Sequence, residues 1–347
     1  MRALTISAHG GLERLEFRDD LSEPQLTRAG DVRVRMRAAG LNHLDLFVLP
    51  GLPKVEITPP WVMGGDGAGI VDAVGKDVTH VKPGDRVIIN PGISDRTCEY
   101  CRAGEQSLCV RYALLGEHLP GTIADYVVVP GANVLAIPET VPWEVAGGFG
   151  LATLTAWRMV VTRAAVRAGE EVLIWGIGGG VAVAALQIAK MLGARVWVTS
   201  GSDEKLARAR TLGADETLNH RTQDVAKEIR ARTGKRGVDV VIDNVGEATW
   251  QQSLGALGKA GRLVTCGGTS GPMVTTDVRR LFWNQWTIMG STMGNDAEFA
   301  AITEELRRGK LYPPVDSVWD ITEGRKAFER LAAAEQFGKV IVRVSDD

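Results

Sequence analysis

Residues 171–202 read EVLIWGIGGGVAVAALQIAKMLGARVWVTSGS. A short apolar strand runs into a cluster of glycines, then a helical stretch, then a second apolar strand. A strand that is apolar on both faces needs a sheet covered on both sides. A glycine turn that opens a helix lets backbone N–H groups approach a phosphate, and the helix N-terminus favours the negative charge. The turn is not a regular G-x-G-x-x-G, because Gly178, Gly179 and Gly180 are followed by Val181 and Ala182. Alanine still permits close packing of helix on strand. Set inside a strand–helix–strand unit, this turn points to a dinucleotide whose pyrophosphate rests on Gly178, Gly179, Gly180 and Val181.

The same alternation continues. The stretch 203–214 is helical, 238–246 is an apolar strand, 249–257 is helical and 261–268 is again an apolar strand. Together these predict a doubly wound parallel sheet. Ligands of such sheets sit at the carboxyl ends of the strands, which nominates Asn244, Val245, Gly267 and Gly268. Ser291, in Gly290-Ser291-Thr292, is expected to approach the nicotinamide. The second strand ends in Val198-Thr199-Ser200-Gly201-Ser202. An NAD site usually carries an acid there to hold the ribose 2′-OH. Here that place holds Ser200, and Asp203 reads as the first residue of a helix. Ser200, Ser202, Lys205 and His220 are therefore expected to receive a 2′-phosphate, which favours NADP(H) over NAD(H). The alternative is that they are ordinary polar loop residues.

The first 149 residues are β-rich. DVRVRMRAA (31–39) alternates Val32, Val34 and Met36 with Arg33, Arg35 and Arg37, so one face points in and one out. Strands follow at 67–75, 81–90 and 122–130, with Pro-Gly and Gly pairs between them, which suggests a closed or partly closed β-barrel. The expected organisation is 1–149 as a first domain, 150–289 as the dinucleotide domain, and 290–347 as a return to the first. That tail carries helices at 295–309 and 322–334 and a last strand at 338–344. With 40 basic and 42 acidic residues and no block of like charge, neither nucleic acid nor an anionic membrane is indicated as a partner. The first residues lack the apolar core of a signal peptide, and no apolar run is long enough to span a bilayer. A cytoplasmic setting is expected, and a reducing compartment suits thiolate ligands.

Three of the four cysteines fall in ISDRTCEYCRAGEQSLC (93–109). Cys98, Cys101 and Cys109 are thiolate zinc ligands in waiting, and Asp95 stands where the rhythm wants a fourth. A carboxylate is an acceptable ligand, with Zn–O of about 2.0–2.2 Å against about 2.3 Å for Zn–S. The alternatives are an empty lobe, or a Cys98–Cys101 pair that oxidises. His9, His80 and Cys266 read as structural.

The β-rich first domain, AGLNHLD (39–45), MGGDGAGIV (63–71), KPGDRV (82–87), LTAW (154–157), the glycine turn and FGKV (337–340) occur in order along the chain. Together they resemble the medium-chain dehydrogenase/reductase superfamily, in its zinc alcohol dehydrogenase-like and quinone oxidoreductase-like branch. The resemblance implies a GroES-like β-barrel catalytic domain joined to a Rossmann sheet, and a homodimer or homotetramer. It implies a structural zinc lobe near 93–110, with Asp95 replacing one thiolate. It also implies that the catalytic zinc is missing. The three ligand positions fall on Asn42, Gly65 and Leu151, the neighbouring acid falls on Asp66, and the proton-relay hydroxyl falls on Leu44. The activity then expected is reduction of a quinone or an α,β-unsaturated carbonyl by NADPH. An aldehyde reductase or alcohol dehydrogenase is the alternative, and a non-catalytic nucleotide-sensing or structural protein is a third reading. Asn42 is the first candidate to polarise or position the substrate carbonyl, and His43 is a candidate proton donor or cofactor contact. Asp45 is expected to orient neighbours, Thr155 to lie beside the nicotinamide, and His118 to face the cleft or the surface. Trp61, Phe149, Trp157, Trp283 and Trp286 would line a pocket, fill the core or meet another subunit.

Overall fold

The computed structural model describes residues 1–53 and 55–345. The chain forms two compact units, Met1–Leu154 with Gly294–Asp347, and Thr155–Met293.

The second unit is built on a six-stranded sheet. Numbered along this unit, its strands lie in the order 3-2-1-4-5-6 and every pairing is parallel. That is the doubly wound dinucleotide-binding order, with its switch point between the first and fourth strands. Those two strands are Glu171–Ile174 and Val238–Asp243. Val172, Leu173, Ile174, Val240, Val241 and Ile242 are all fully buried, as apolar runs in a sheet covered on both faces must be. The helices begin where cap residues stand. Ser202 accepts from Lys205 N at the start of Asp203–Thr211, and Asp224 accepts from Lys227 N at the start of Val225–Arg232.

Some elements differ from the expectation. The strand foreseen at 261–268 is Leu257–Thr265, and Ala260 within it takes a positive φ of 57°. The short strand Thr287–Gly290 and the helices Val225–Arg232 and Val278–Asn284 were not foreseen. They are short, and their periodicity is too brief to stand out from loops. The helix that ends at Trp157 continues as a π-helical turn, Arg158–Arg163, which no periodic pattern signals.

The first unit carries a seven-stranded sheet and a three-stranded sheet. Asp31–Gly40 lies at the centre of the larger one and pairs with Ala68–Val74, Tyr126–Pro130 and Lys339–Arg343. Its alternation is obeyed by Val32, Val34 and Met36, all 0% exposed. Arg33 and Arg35 are half-buried, whereas Arg37 is buried and donates to Ser345 Oγ at 3.1 Å. The chain's last strand, Lys339–Arg343, runs antiparallel to Asp31–Gly40, with Ile341 opposite Gly40. The tail therefore joins the first unit's core, where Phe328, Val340 and Val342 pack with Leu4, Val34 and Met36. Gly338 sets the entry to this strand. Its φ is +101°, and a Cβ there would lie 2.1 Å from Pro314 O, so only glycine delivers Lys339 to its place.

Candidate functional site

The loop after the central strand carries Asn42, which caps the helix His43–Val48. Asn42 N donates to Asp45 Oδ2 at 2.7 Å, and Asp45 N donates to Asn42 O at 3.0 Å. The Asn42 side chain turns inward. Its Nδ2 donates to Asp66 Oδ2 at 2.9 Å and to Gly40 O at 3.3 Å. Its Oδ1 accepts from Lys339 Nζ at 2.7 Å, and the same ammonium reaches Asp66 Oδ2 at 2.9 Å. The other oxygen of Asp66 accepts from Leu151 N. The side chains of Lys339 and Asp66 are 2% and 0% exposed. A buried charge pair survives only where hydrogen bonds fill the remaining valences, and here Asn42 and Leu151 do so. Burial pushes the Asp45 carboxyl up to about 7, against the opposing pull of the Asn42 N–H and the Lys339 ammonium.

This cluster corrects one expectation. Both amide hydrogens of Asn42, and its oxygen, are spent inside the protein. Asn42 is a positioning member of the network and has no free hydrogen to polarise a carbonyl. The places beside it offer no ligand either. A Cβ added at Gly65 would meet Leu151 Cδ1 at 3.1 Å and Leu115 O at 3.3 Å. His43, the next residue, is exposed, its ring edge-on to Phe47 at 5.3 Å, and desolvation by its neighbours lowers its pKa. His118 Nδ1 accepts from Leu114 N at 3.3 Å on an exposed loop. His9 and His80 bond Val48 O and Gly131 O, as structural histidines do.

In the second unit the turn expected to hold a pyrophosphate has φ of +70° at Gly176 and +118° at Gly178, which L side chains rarely adopt. It delivers Gly179 as the N-cap of the helix Gly180–Met191. A Cβ on Gly179 would find only Gly176 O, at 3.6 Å, so the mouth of the turn is open. Among the described residues, three buried polar atoms at the carboxyl ends of strands lack a hydrogen-bond partner: Trp175 Nε1, Asn244 Oδ1 and Ser291 Oγ. Buried polar groups are normally paired, so orphans gathered along one sheet edge fit a polar ligand there. Asn244 and Ser291 were nominated from sequence, and Trp175 was not. Val245, Gly267 and Gly268 follow the same strand ends. Thr155 is buried, with Oγ1 at 3.5 Å from Met293 Sδ.

The cysteine lobe is a third, separate feature, closed at its base by the pairing of Gly92–Ile93 with Ala113–Leu114. One ligand atom from each of Asp95, Cys98, Cys101 and Cys109 lies within 4.8 Å of all the others. Asp95 Oδ1 accepts from Thr97 N at 2.8 Å and Cys98 N at 2.9 Å, and these N–H groups hold the carboxyl well below its usual range. Among the described residues its buried Oδ2 has no hydrogen bond, and Arg111 Nε lies 3.6 Å from it as an ion-pair partner. Cys109 Sγ accepts from Asp95 N and Arg111 N, both at 3.3 Å, a pattern suited to a thiolate. Burial pushes the Cys101 thiol up to about 11, a cost that a divalent cation would reverse. The donor set, its spacing and an Oδ2 free of hydrogen bonds all fit Zn²⁺.

Residues 28–139 match the alcohol dehydrogenase GroES-like domain and 180–308 the zinc-binding dehydrogenase domain. An NAD-dependent alcohol dehydrogenase of Sulfolobus acidocaldarius is 31% identical over 99% of this chain and 100% of its own. The chain belongs to the zinc-type alcohol dehydrogenase-like branch of the medium-chain dehydrogenase/reductase superfamily. A quinone oxidoreductase of Pseudomonas aeruginosa is 29% identical over 98% of this chain and 99% of its own. A crystal structure described as an NAD-dependent alcohol dehydrogenase superposes with a TM-score of 0.95 at 44% identity, covering 99% of this chain and 100% of that one. The two units are thus the GroES-like and Rossmann parts of a nicotinamide-dependent oxidoreductase.

Within this dehydrogenase, sequence reasoning placed Asn42, Asp45 and Asp66 near one another but missed Lys339. The only signal was a lysine leading an apolar strand, KVIV, where a charge has no business unless it is paired. The aromatic residues divide. Trp61, Phe149 and Trp286 are buried at 6%, 0% and 7%, while Trp283 is 76% exposed.

Proposed function

We propose that this dehydrogenase reduces quinones or α,β-unsaturated carbonyls with NADPH, without a catalytic zinc. The observation that carries the reading is the Asn42–Asp66–Lys339 cluster. The donors left near the family's metal position are already bonded to an internal ammonium, and Leu151 fills the space beside Gly65. Without a Lewis acid nothing lowers the pKa of an alcohol, whereas a conjugated carbonyl is electrophilic already. NADPH, when bound, would supply a hydride for the electrophilic carbon. The chain must then meet the charge that collects on oxygen and exclude water. We assign the proton donor to His43, which gives its proton as the imidazolium; desolvation lowers its pKa, so this form gains as pH falls below neutral. Asp45 and Lys339 hold the Asn42 turn from which His43 projects. In the Rossmann part, Gly178, Gly179, Gly180 and Val181 receive the pyrophosphate. Asn244, Val245, Gly267, Gly268 and Ser291 line the nicotinamide side, with Thr155 beside it. Ser200, Ser202, Lys205 and His220 receive the 2′-phosphate. Asp95, Cys98, Cys101 and Cys109 would hold one structural Zn²⁺, which ties the lobe together.

The substrate in this reading is a small carbonyl compound or quinone, and the setting is cytoplasmic. Among the described residues no helix is long and apolar enough to cross a membrane. The exposed Val278, Phe282 and Trp283 suit a contact between copies in a homodimer or homotetramer. Aldehyde reduction or alcohol oxidation is the second reading, favoured by the alcohol dehydrogenase names of two relatives. The test follows NADPH consumption with quinones, enones and simple aldehydes, alongside metal content by mass spectrometry. Turnover of quinones or enones with about one zinc per chain is expected. Preference for simple alcohols or aldehydes, with about two zinc ions per chain, overturns the proposal.

A further inference from the structure

The strand Arg195–Ser200 ends at the serines assigned above to the 2′-phosphate, and its outer neighbour in the sheet is Glu216–Asn219. Arg221 follows that outer strand by two residues and folds back over Gly201. A Cβ built on Gly201 would lie 2.5 Å from Arg221 Nε, 3.0 Å from Cδ and 3.1 Å from Cζ. Glycine at 201 is what lets the guanidinium lie on the backbone at the end of the strand.

Arg221 differs from the arginines around it. Arg195 pairs with Glu171 and Glu216, and Arg232 pairs with Glu216 and Glu228. Among the described residues the Arg221 side chain has neither a carboxylate nor a hydrogen-bond partner. Its backbone is held, since Arg221 N donates to Asn219 Oδ1 at 3.1 Å. Nearby groups are arranged to welcome an anion. Ser200 Oγ accepts from Ser202 N at 3.1 Å and Ser202 Oγ accepts from Lys205 N at 3.4 Å. Each hydroxyl has thereby spent an acceptor site and kept its hydrogen to donate. The acid in the next helix, Asp203, is engaged through Oδ1 by Asn219 Nδ2 at 2.8 Å.

We propose that Arg221 clamps the 2′-phosphate of NADPH and sets the coenzyme preference. This rests on the NADPH reading above and names a residue that the sequence pattern did not. A planar guanidinium can give a phosphate two parallel N–H donors, which Lys205 as a point charge cannot. Gly201 is part of the device, because any side chain there displaces the guanidinium.

The test is calorimetric binding of NADP⁺, NAD⁺, 2′,5′-ADP and 5′-AMP to the full chain and to Arg221→Ala and Gly201→Ala. The parent should bind the two 2′-phosphorylated ligands at least about tenfold more tightly than their partners. Arg221→Ala should erase most of that ratio while changing NAD⁺ and 5′-AMP affinity by less than about twofold. Gly201→Ala should shift the ratio in the same direction. If the parent prefers NADP⁺ and Arg221→Ala keeps the ratio, or weakens all four ligands alike, the assignment of Arg221 is wrong and NADPH dependence stands. If the parent binds NAD⁺ as well as NADP⁺, the NADPH reading itself falls, and this proposal with it.

Discussion

Replacing Lys339 by Met tests whether the buried cluster is a tuned ion network or an incidental contact. The ammonium lies 2.9 Å from Asp66 Oδ2 and 2.7 Å from Asn42 Oδ1, and its side chain is 2% exposed. Methionine is similar in volume, so packing is nearly conserved and the charge alone is lost. Asp66 would then be a fully buried carboxylate served by Asn42 Nδ2 and Leu151 N only. Removing one partner of a buried pair costs about 3–5 kcal/mol. The lost bond to Asn42 is part of the same network and does not add in full. The expected readout is an unfolding midpoint lowered by about 5–10 °C, followed by scanning fluorimetry and urea titration. The double variant Lys339→Met/Asp66→Asn removes both charges and should recover most of the loss, because a neutral pair pays no desolvation penalty. Two results refute the reasoning. One is a single variant as stable as the parent within about 0.5 kcal/mol. The other is a double variant less stable than the single one, which would mean that Asp66 is not the partner that suffers.

Three further outcomes are expected. Asp95→Ala should lower bound zinc well below one per chain after dialysis, whereas Asp95→Cys, which restores a four-thiolate set, should retain it, as read by mass spectrometry. Asp45 carries a pH signature. Burial raises its carboxyl to about 7 in the fold, so between about pH 4 and 7 the folded state binds a proton that the unfolded state releases. Its contribution is complete below about 4 and is lost as pH rises through 7, so Asp45→Asn, which cannot titrate, should gain midpoint on the parent across that window. His43→Ala should lower kcat by about 10²-fold or more with coenzyme affinity unchanged, in a stopped-flow single-turnover assay. Unchanged turnover would remove His43 as the proton donor.

Much of this dehydrogenase was legible in its sequence, wherever structure depends on neighbours in the chain. The glycine turn of 176–180 works through backbone angles set by its own residues. The alternation in 31–39 follows from the two-residue repeat of a strand. The Asp95–Cys109 spacing places four donors in one loop. Gly65 and Leu151 could be read in the sequence as side chains without a metal-binding atom, which is where the zinc-free proposal begins. Arg37 broke its pattern where Ser345, 308 residues on and half-buried, offered it a partner.

Only the tertiary structure decided what surrounds Asn42 and Asp66. Lys339 is 297 residues from Asn42 and 273 from Asp66, and antiparallel pairing of the last strand with the central one brings them together. Parallel pairing likewise carries Arg221 to Gly201 across two strands that local pattern cannot align. Local sequence sets backbone geometry and the kinds of ligand present. Which distant charge fills a buried site depends on strand register, because a charge in the interior persists only beside a partner that the fold delivers.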